Sequence, residues 1–168
     1  ANLPPERQTT LGNVFNGGFE HEPESIGFDW RFGRVPGARI ARLGGEGVGG
    51  RMALRIAFED RRVPFAHVRQ MLALPPGKYR LSLRAKGERL RTGRGLVWQV
   101  SCVSGGRALA VTPPLTGHRP WHALAAEFVV PEGCEGQWLM LRIPARIEAE
   151  TQIGGQAWFD DLRVVRVP

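Results

Sequence analysis

The stretch from Tyr79 to Lys86 constrains the fold more than any other part of the chain. Apolar and polar residues alternate along it, as Tyr79, Leu81, Leu83 and Ala85 against Arg80, Ser82, Arg84 and Lys86. A period of two places one set on each face of a strand, so this stretch predicts a half-buried β-strand. Similar alternation recurs at 52–58, 96–102 and 137–143, and no segment keeps the 3.6-residue period of a helix. The chain is therefore predicted to be all-β.

Length and turn residues refine this prediction. A chain of 168 residues is typical of one domain, and its 22 glycines and 13 prolines suit many short strands joined by turns. Turn signals such as Pro75-Pro76-Gly77 separate about nine or ten candidate strands. The charged residues 59–64 are predicted to form a turn, and the polar stretch 144–155 is predicted to form a long loop before the final strand. We predict a two-sheet antiparallel β-sandwich (jelly roll) as a single domain at 13–168. Residues 1–12 are predicted to be an extended lead-in or linker remnant.

The two ends of the predicted domain carry distinctive patterns. The β-prone run Trp158 to Val167 contains two adjacent aspartates, Asp160 and Asp161. Near the other end, Val14 to Glu20 is predicted to be a short strand, interrupted at Gly17-Gly18. We expect these two ends to lie together in space and to close the sandwich.

The chain has a strongly positive net charge, but its basic residues are dispersed along the sequence. The formal net charge is +7, and the basic residues are nearly all arginines spread along the chain, with Lys78 and Lys86 as the only lysines. Without a basic cluster or a recognition motif, nucleic-acid binding is disfavoured. No apolar run is long enough to suggest a membrane span, and no signal peptide is visible at the start.

The cysteines Cys102 and Cys134 leave two alternatives open. They form no Cys-x-x-Cys motif, and no further ligands at suitable spacing suggest a thiolate metal site. They can form one disulfide, which would indicate an oxidising compartment, or remain two buried thiols.

Motifs for catalysis and nucleotide binding are missing or lie in the wrong context. The glycines of 45–50 match a dinucleotide-binding pattern, but a strand follows where that pattern requires a helix. His118 and His122 have the spacing of a helical metal pair, but Pro120 between them argues against a helix and favours a loop. No Gly-x-Ser-x-Gly nucleophile motif is present. We therefore predict a non-catalytic domain.

An ordered set of motifs runs along the chain. These are Asn16-Gly17-Gly18-Phe19-Glu20, Trp30, the Leu-Pro-Pro-Gly-x-Tyr-x-Leu core of 72–84, Trp121 with Phe128-Val129-Val130-Pro131, and Trp158-Phe159-Asp160-Asp161-Leu162. In this order they resemble the carbohydrate-binding modules of the galactose-binding-domain-like jelly roll, the xylan- and glucan-binding modules attached to glycoside hydrolases. The resemblance covers roughly 13–167.

The resemblance implies a structural calcium ion near the paired chain ends. Its ligands would be Glu20 and Asp160, since Asp160 shares strand parity with Leu162 and Val164; Asp161 is the alternative. Two carboxylates with backbone carbonyls from a glycine-rich loop such as 44–50 also suit a hard cation on chemical grounds.

The resemblance also implies a sugar site built on exposed aromatic residues. If Leu139 and Leu141 point inward, Trp138 and Arg142 point outward, and an outward tryptophan beside an arginine can stack a pyranose ring. Gln99 shares such a face by parity. Trp30 and Trp121, near turns, are weaker candidates.

These observations lead to two functional hypotheses. The first is a carbohydrate-binding module for a neutral or acidic glycan, one domain of a larger periplasmic or extracellular protein. The second is a structural or protein-interaction accessory domain that has the same fold but no sugar site.

Overall fold

The computed structural model describes residues 13–168, and the predicted lead-in at 1–12 lies outside the described residues. Ten strands run through the described part of the chain: β1 (Arg31–Phe32), β2 (Ala38–Leu43), β3 (Ala53–Arg62), β4 (Val68–Leu72), β5 (Gly77–Thr92), β6 (Val97–Cys102), β7 (Ala108–Val111), β8 (Gly117–Val130), β9 (Gln137–Arg142) and β10 (Gln152–Arg166). Short 3-10 turns lie at Val48–Gly50 and Glu148–Thr151. No helix among these residues is long and apolar enough to cross a membrane.

The strands form two five-stranded antiparallel sheets, which confirms the predicted sandwich. Sheet I has the order β1-β4-β9-β6-β7, and sheet II has the order β2-β3-β10-β5-β8. The glycine-rich loop after β2 leads into strand β3 rather than a helix, as the sequence predicts.

The core lies between the sheets and is built by alternation. Along β5, Tyr79, Leu81, Leu83 and Ala85 are buried. At the centre, Trp98 contacts Trp30 at a ring-centroid distance of 5.7 Å and Phe159 at 5.4 Å. Trp30 also stacks on Phe19 at 5.2 Å. These contacts join both sheets to the N-terminal segment. Each such buried aromatic side chain contributes about 1.5–3 kcal/mol.

The prediction of a strand at Val14–Glu20 is wrong, because this segment forms irregular turns. Asn16 and Phe19 adopt φ values of 53° and 57°, outside the extended region. The Asn16 side chain stabilises the turn: its Nδ2 donates to the His21 carbonyl at 2.7 Å, and its Oδ1 accepts from the His21 N–H at 3.1 Å. Local side-chain hydrogen bonds of this kind compete with a sheet ladder.

The expectation that the chain ends lie together is confirmed. The Asn13 N–H donates to the Val164 carbonyl at 3.0 Å, and the Leu162 N–H donates to the Gly17 carbonyl at 3.0 Å. On the other side of the segment, the buried amide of Gln70 on β4 accepts from the Phe15 N–H and donates to the Phe15 carbonyl, at 2.8 and 2.7 Å. The segment therefore binds to both sheets and closes one end of the sandwich.

Three boundary predictions are wrong, and each involves a strand that runs further than its local pattern suggests. The charged residues 59–62 continue β3 instead of forming a turn, and β10 begins at Gln152 within the predicted loop 144–155, because these two stretches pair with each other. His118 and His122 lie in β8 rather than in a loop. Pro120 is tolerated there because β8 is an edge strand and its register with β5 shifts at this point.

Cys102 and Cys134 form a disulfide with a Cα–Cα distance of 5.4 Å, which resolves the alternative left open by the sequence. It joins the end of β6 to the turn before β9. Buried Gln137 reinforces this turn by donating to the Cys134 carbonyl at 2.8 Å and accepting from the Leu74 N–H at 2.9 Å.

Candidate functional site

The outer face of sheet I is centred on β9. Leu139 and Leu141 are buried, whereas Trp138, Met140 and Arg142 are half-buried and point away from the core, as the alternation predicts. Because β9 is the middle strand of sheet I, Trp138 lies near the centre of this face.

Strand register defines the surroundings of Trp138. Met71 on β4 and Ser101 on β6 lie directly opposite it. In the next row, Met140 lies between Arg69 on β4 and Gln99 on β6. Side chains opposite one another on one face lie within contact distance. The result is a patch with an aromatic centre and a polar, cationic margin.

The structure brings the three predicted ligand-binding residues onto this one face. Gln99 and Arg142 interact directly, because Arg142 Nη1 donates to Gln99 Oε1 at 3.1 Å. Trp138 belongs to the same strand and face as Arg142. The weaker candidates lie elsewhere: Trp30 is buried in the core, and Trp121 is half-buried on β8 of sheet II.

Two arginines that were not predicted as site residues complete the face. The guanidinium carbon of Arg69 lies 4.4 Å from the centroid of the Trp138 ring, and that of Arg31 lies 5.5 Å from it. The alternation along β4 shows that Arg69 points outward, but no local pattern shows that β1 pairs with β4 and brings Arg31 beside it. With guanidinium groups stacked on the indole, Trp138 is not a bare aromatic platform.

A cavity of about 360 Å³ adjoins these arginines. It is lined by Arg31, Arg69, His67, Ser25 and neighbouring backbone. His67 Nδ1 accepts the Ala66 N–H at 3.0 Å, and burial lowers the pKa of His67. Its imidazole is therefore neutral at neutral pH, and positive charge at this cavity comes from the arginines.

The strands of sheet I carry no acidic residue. Their only charged side chains are Arg31, Arg69 and Arg142. Five ion pairs occur among residues 13–168, and none includes a residue from a sheet I strand. The face around Trp138 therefore carries positive charge that no acidic side chain of residues 13–168 neutralises through an ion pair.

A second feature lies at the closed end, where the predicted metal ligands Asp160 and Glu20 approach the glycine-rich loop. Asp160 is 1% exposed; its Oδ1 accepts the Asp161 N–H at 2.8 Å, and its Oδ2 accepts the Val48 N–H at 3.1 Å. Glu20 Oε1 accepts the Met52 N–H at 3.3 Å. The pKa of Asp160 is raised to about 6, chiefly by burial; the backbone hydrogen bonds from Asp161 and Val48 oppose the rise, and the negative charges of Asp161 and Glu20 contribute to it.

The parity argument for Asp160 does not hold. A bulge between Asp160 and Arg163, with Asp161 at φ 53°, shifts the strand by one residue. Phe159 and Leu162 face the core, while Asp160 pairs with Arg84 on the outward side. Asp160 is buried because the N-terminal segment and the glycine-rich loop cover it, an arrangement that strand alternation does not reveal.

The carboxylates fit a hard cation in donor type. Neither Glu20 nor Asp160 belongs to an ion pair of the described chain. No group of three or more His, Cys, Asp or Glu side chains within 13–168 is placed to hold a metal ion. A cation here would therefore need backbone carbonyls or water as its remaining ligands.

Several solved structures share this fold at low sequence identity. A CBM4 carbohydrate-binding module has a TM-score of 0.65 at 15% identity, over 92% of this chain and 99% of the module. A CBM61 module in complex with β-1,4-galactotriose has a TM-score of 0.62 at 21% identity, over 93% and 99%. The CBM22-1 xylan-binding domain from Paenibacillus barcinonensis has a TM-score of 0.54 at 13% identity, over 90% and 92%.

At these identities the comparison establishes the fold. The chain has the β-sandwich of carbohydrate-binding modules, as the motif resemblance implied. The sequence itself matches no protein-family model and no curated protein.

Proposed function

We propose that this chain is a non-catalytic carbohydrate-binding module whose binding site is the outer face of sheet I. The observation that carries the proposal is the half-buried Trp138 at the centre of that face, with Gln99 and Arg142 beside it. The known ligands of similar structures, β-1,4-galactotriose and xylan, support a carbohydrate as the partner.

The arrangement supplies both parts of sugar recognition. The indole and the adjacent Met71 and Met140 offer apolar surface to the C–H groups of a pyranose. The Gln99–Arg142 pair offers hydrogen-bond donors and an acceptor to sugar hydroxyls. Because Arg69 covers part of the indole, a sugar ring must either use the uncovered part or displace the guanidinium.

The test is binding to a panel of neutral and acidic polysaccharides, compared between wild type, Trp138→Ala and Trp121→Ala. Trp121→Ala is a matched control, because it removes a half-buried tryptophan from the other sheet. We expect Trp138→Ala to weaken binding by roughly 30-fold or more, as for a tryptophan hot spot of about 2 kcal/mol. Trp121→Ala should change affinity by less than about twofold.

Two results would contradict the proposal. One is equal loss in both variants, which would place the site elsewhere. The other is no binding to any glycan by the folded wild type, which would leave the structural or protein-interaction accessory domain as the better description.

We also propose a structural calcium ion held by Glu20 and Asp160. It would neutralise two carboxylates that lie within electrostatic reach of each other. Asp161, half-buried on the bulge, remains the alternative ligand. The ion would join the N-terminal segment to β10 and would have no direct part in sugar binding.

The disulfide supports a periplasmic or extracellular location, where such bonds persist. A module of this kind would act within a larger protein by holding a neighbouring domain near its polysaccharide.

A further inference from the structure

The charge of the Trp138 face points to a narrower class of ligand. Arg31 and Arg69 lie directly opposite each other on β1 and β4. Like charges in this position destabilise a sheet pair unless a counter-charge is present. Neither arginine belongs to an ion pair of the described chain, and no sheet I strand supplies an acidic residue.

Contacts within the face orient these cations without neutralising them. Arg69 is stacked on Trp138 at 4.4 Å, and Arg31 Nη2 donates to the Gly27 carbonyl at 3.3 Å. Arg31 Nε is buried and has no hydrogen-bond partner among residues 13–168. An arginine side chain that is already ordered by stacking on an aromatic ring loses less conformational entropy when its remaining N–H donors bind a ligand.

The adjoining cavity has space for the group that these donors would bind. Its volume of about 360 Å³ falls within the range of small-ligand sites, about 300–1,000 Å³. Among the described residues, the side chains that line it include Arg31, Arg69 and His67 but no carboxylate. The planar guanidinium fork matches the two oxygens of a carboxylate or sulfate.

We infer that this face binds an anionic polysaccharide, whose carboxylate or sulfate groups contact Arg31 and Arg69 while a sugar ring packs beside Trp138. The inference rests on the proposed function, because it assigns a ligand class to the same site. Arg142, held by Gln99, extends the cationic margin to the other side of Trp138.

The experiment measures the affinity of the chain for polygalacturonate, chondroitin sulfate, neutral galactan and double-stranded DNA at two salt concentrations. Arg31→Gln and Arg69→Gln are compared with Arg163→Gln. Arg163 is an exposed arginine of β10, so its variant removes the same charge from the other sheet. This control separates site-specific binding from general attraction to a chain of net charge +7.

We expect each sheet I variant to weaken binding to an acidic polysaccharide by about tenfold or more, the size of a lost charge-assisted hydrogen bond. Arg163→Gln should change it by less than about twofold. Preference for polygalacturonate identifies carboxylate as the recognised group, and chondroitin sulfate binding that is lost when the polymer is desulfated identifies sulfate.

Three outcomes overturn the inference in distinguishable ways. Binding to neutral galactan that requires Trp138, without binding to either acidic polymer, would leave the proposed function standing and refute the anionic ligand. Absence of binding to every polysaccharide would refute both. Equal effects of all three arginine variants, or equal affinity for DNA, would show general polyanion attraction without a site.

Discussion

The strands of sheet I carry three arginines and no acidic residue, whereas those of sheet II carry six acidic residues among their basic ones. On sheet II, Arg80 pairs with Glu127 at 3.9 Å and Arg91 with Asp60 at 3.6 Å. On sheet I, Arg31 and Arg69 face each other, and neither forms an ion pair within residues 13–168. Both sheets keep an excess of basic residues, so they differ in whether acidic side chains are interspersed with the arginines and not in the sign of their charge.

The two sheets also differ in the interactions that fix their strands to neighbouring segments. In sheet I, the disulfide fixes the end of β6 to the turn that enters β9. In sheet II, β10 is fixed to the N-terminal segment by backbone hydrogen bonds, beside the carboxylates of Glu20 and Asp160. The connection in sheet I is covalent. In sheet II, the part of the connection formed by the Glu20 and Asp160 carboxylates would depend on a cation. The following predictions test these differences, beginning with the largest expected effect.

Removal of the disulfide by the double variant Cys102→Ser/Cys134→Ser should have the largest effect. The loop it closes spans 32 residues, and a cross-link of this span stabilises a fold by about 3–4 kcal/mol. Urea unfolding followed by tryptophan fluorescence measures the loss. Wild type in reducing agent should reproduce it, and an unchanged unfolding midpoint in both would contradict the covalent role.

Calcium should raise the Tm of the wild type, and a chelator should reverse the increase. Calcium at a hundred times its Kd would add about 2.7 kcal/mol of stability. Asp160→Asn and Glu20→Gln should abolish the increase, while Glu24→Gln, an exposed glutamate of the same segment, should keep it. A Tm that is indifferent to calcium would count against the ion. Glycan affinity should change by less than about twofold on chelation, because the Trp138 face belongs to sheet I.

Arg69→Glu should make sheet I resemble sheet II by giving Arg31 an opposite charge across the strands. We expect stability to rise by about 0.2–1 kcal/mol and affinity for an acidic polysaccharide to fall by at least about tenfold. Thermal melts and binding isotherms measure the two effects. The reciprocal change, Glu127→Gln, leaves Arg80 unpaired on sheet II and should alter neither property appreciably. Equal responses to the two variants would mean that the two faces are equivalent.

A pH dependence of stability caused by Asp160 should also be measurable. Its pKa is about 6 in the folded state against about 3.8 for an exposed aspartate. Between these values the folded state keeps a proton that the unfolded state releases, so this group stabilises the fold at low pH. Its contribution is lost as pH rises through about 6. In chelator, the Tm difference between wild type and Asp160→Asn should therefore change by a few degrees between pH 4 and 7. A constant difference would show that Asp160 ionises normally.

Much of the fold follows from local sequence. Alternation identified which residues of β5 and β9 face the core, because side-chain direction in a strand depends only on the count of residues. Alternation gave the wrong orientation for Asp160, because a single bulge residue after it changes which residues of β10 face the core. It also failed at Val14–Glu20, where side-chain hydrogen bonds from Asn16 replace a ladder.

The candidate site was predictable only in part, for a related reason. Trp138, Arg142 and Gln99 were placed together because each lies on a regular strand with a clear alternating pattern. Arg31 lies on a two-residue strand, and its neighbours are decided by pairing with β4, distant in sequence. The unpaired arginine couple, which narrows the ligand class, is therefore a property of sheet order and not of any local motif.

Pro120 affects whether the edge of sheet II can pair with a strand of another copy of the chain. It lies in β8, the outer strand of sheet II, and lacks the N–H group that an added strand would need. At the edges of sheet I, β1 offers only two residues, and β7 is followed directly by Thr112 and the pair Pro113-Pro114. Such short or proline-marked edges disfavour edge-to-edge pairing with another copy. Of the four sheet edges in residues 13–168, these three are therefore poor templates for a strand of another copy, which leaves β2 as the edge most open to such pairing.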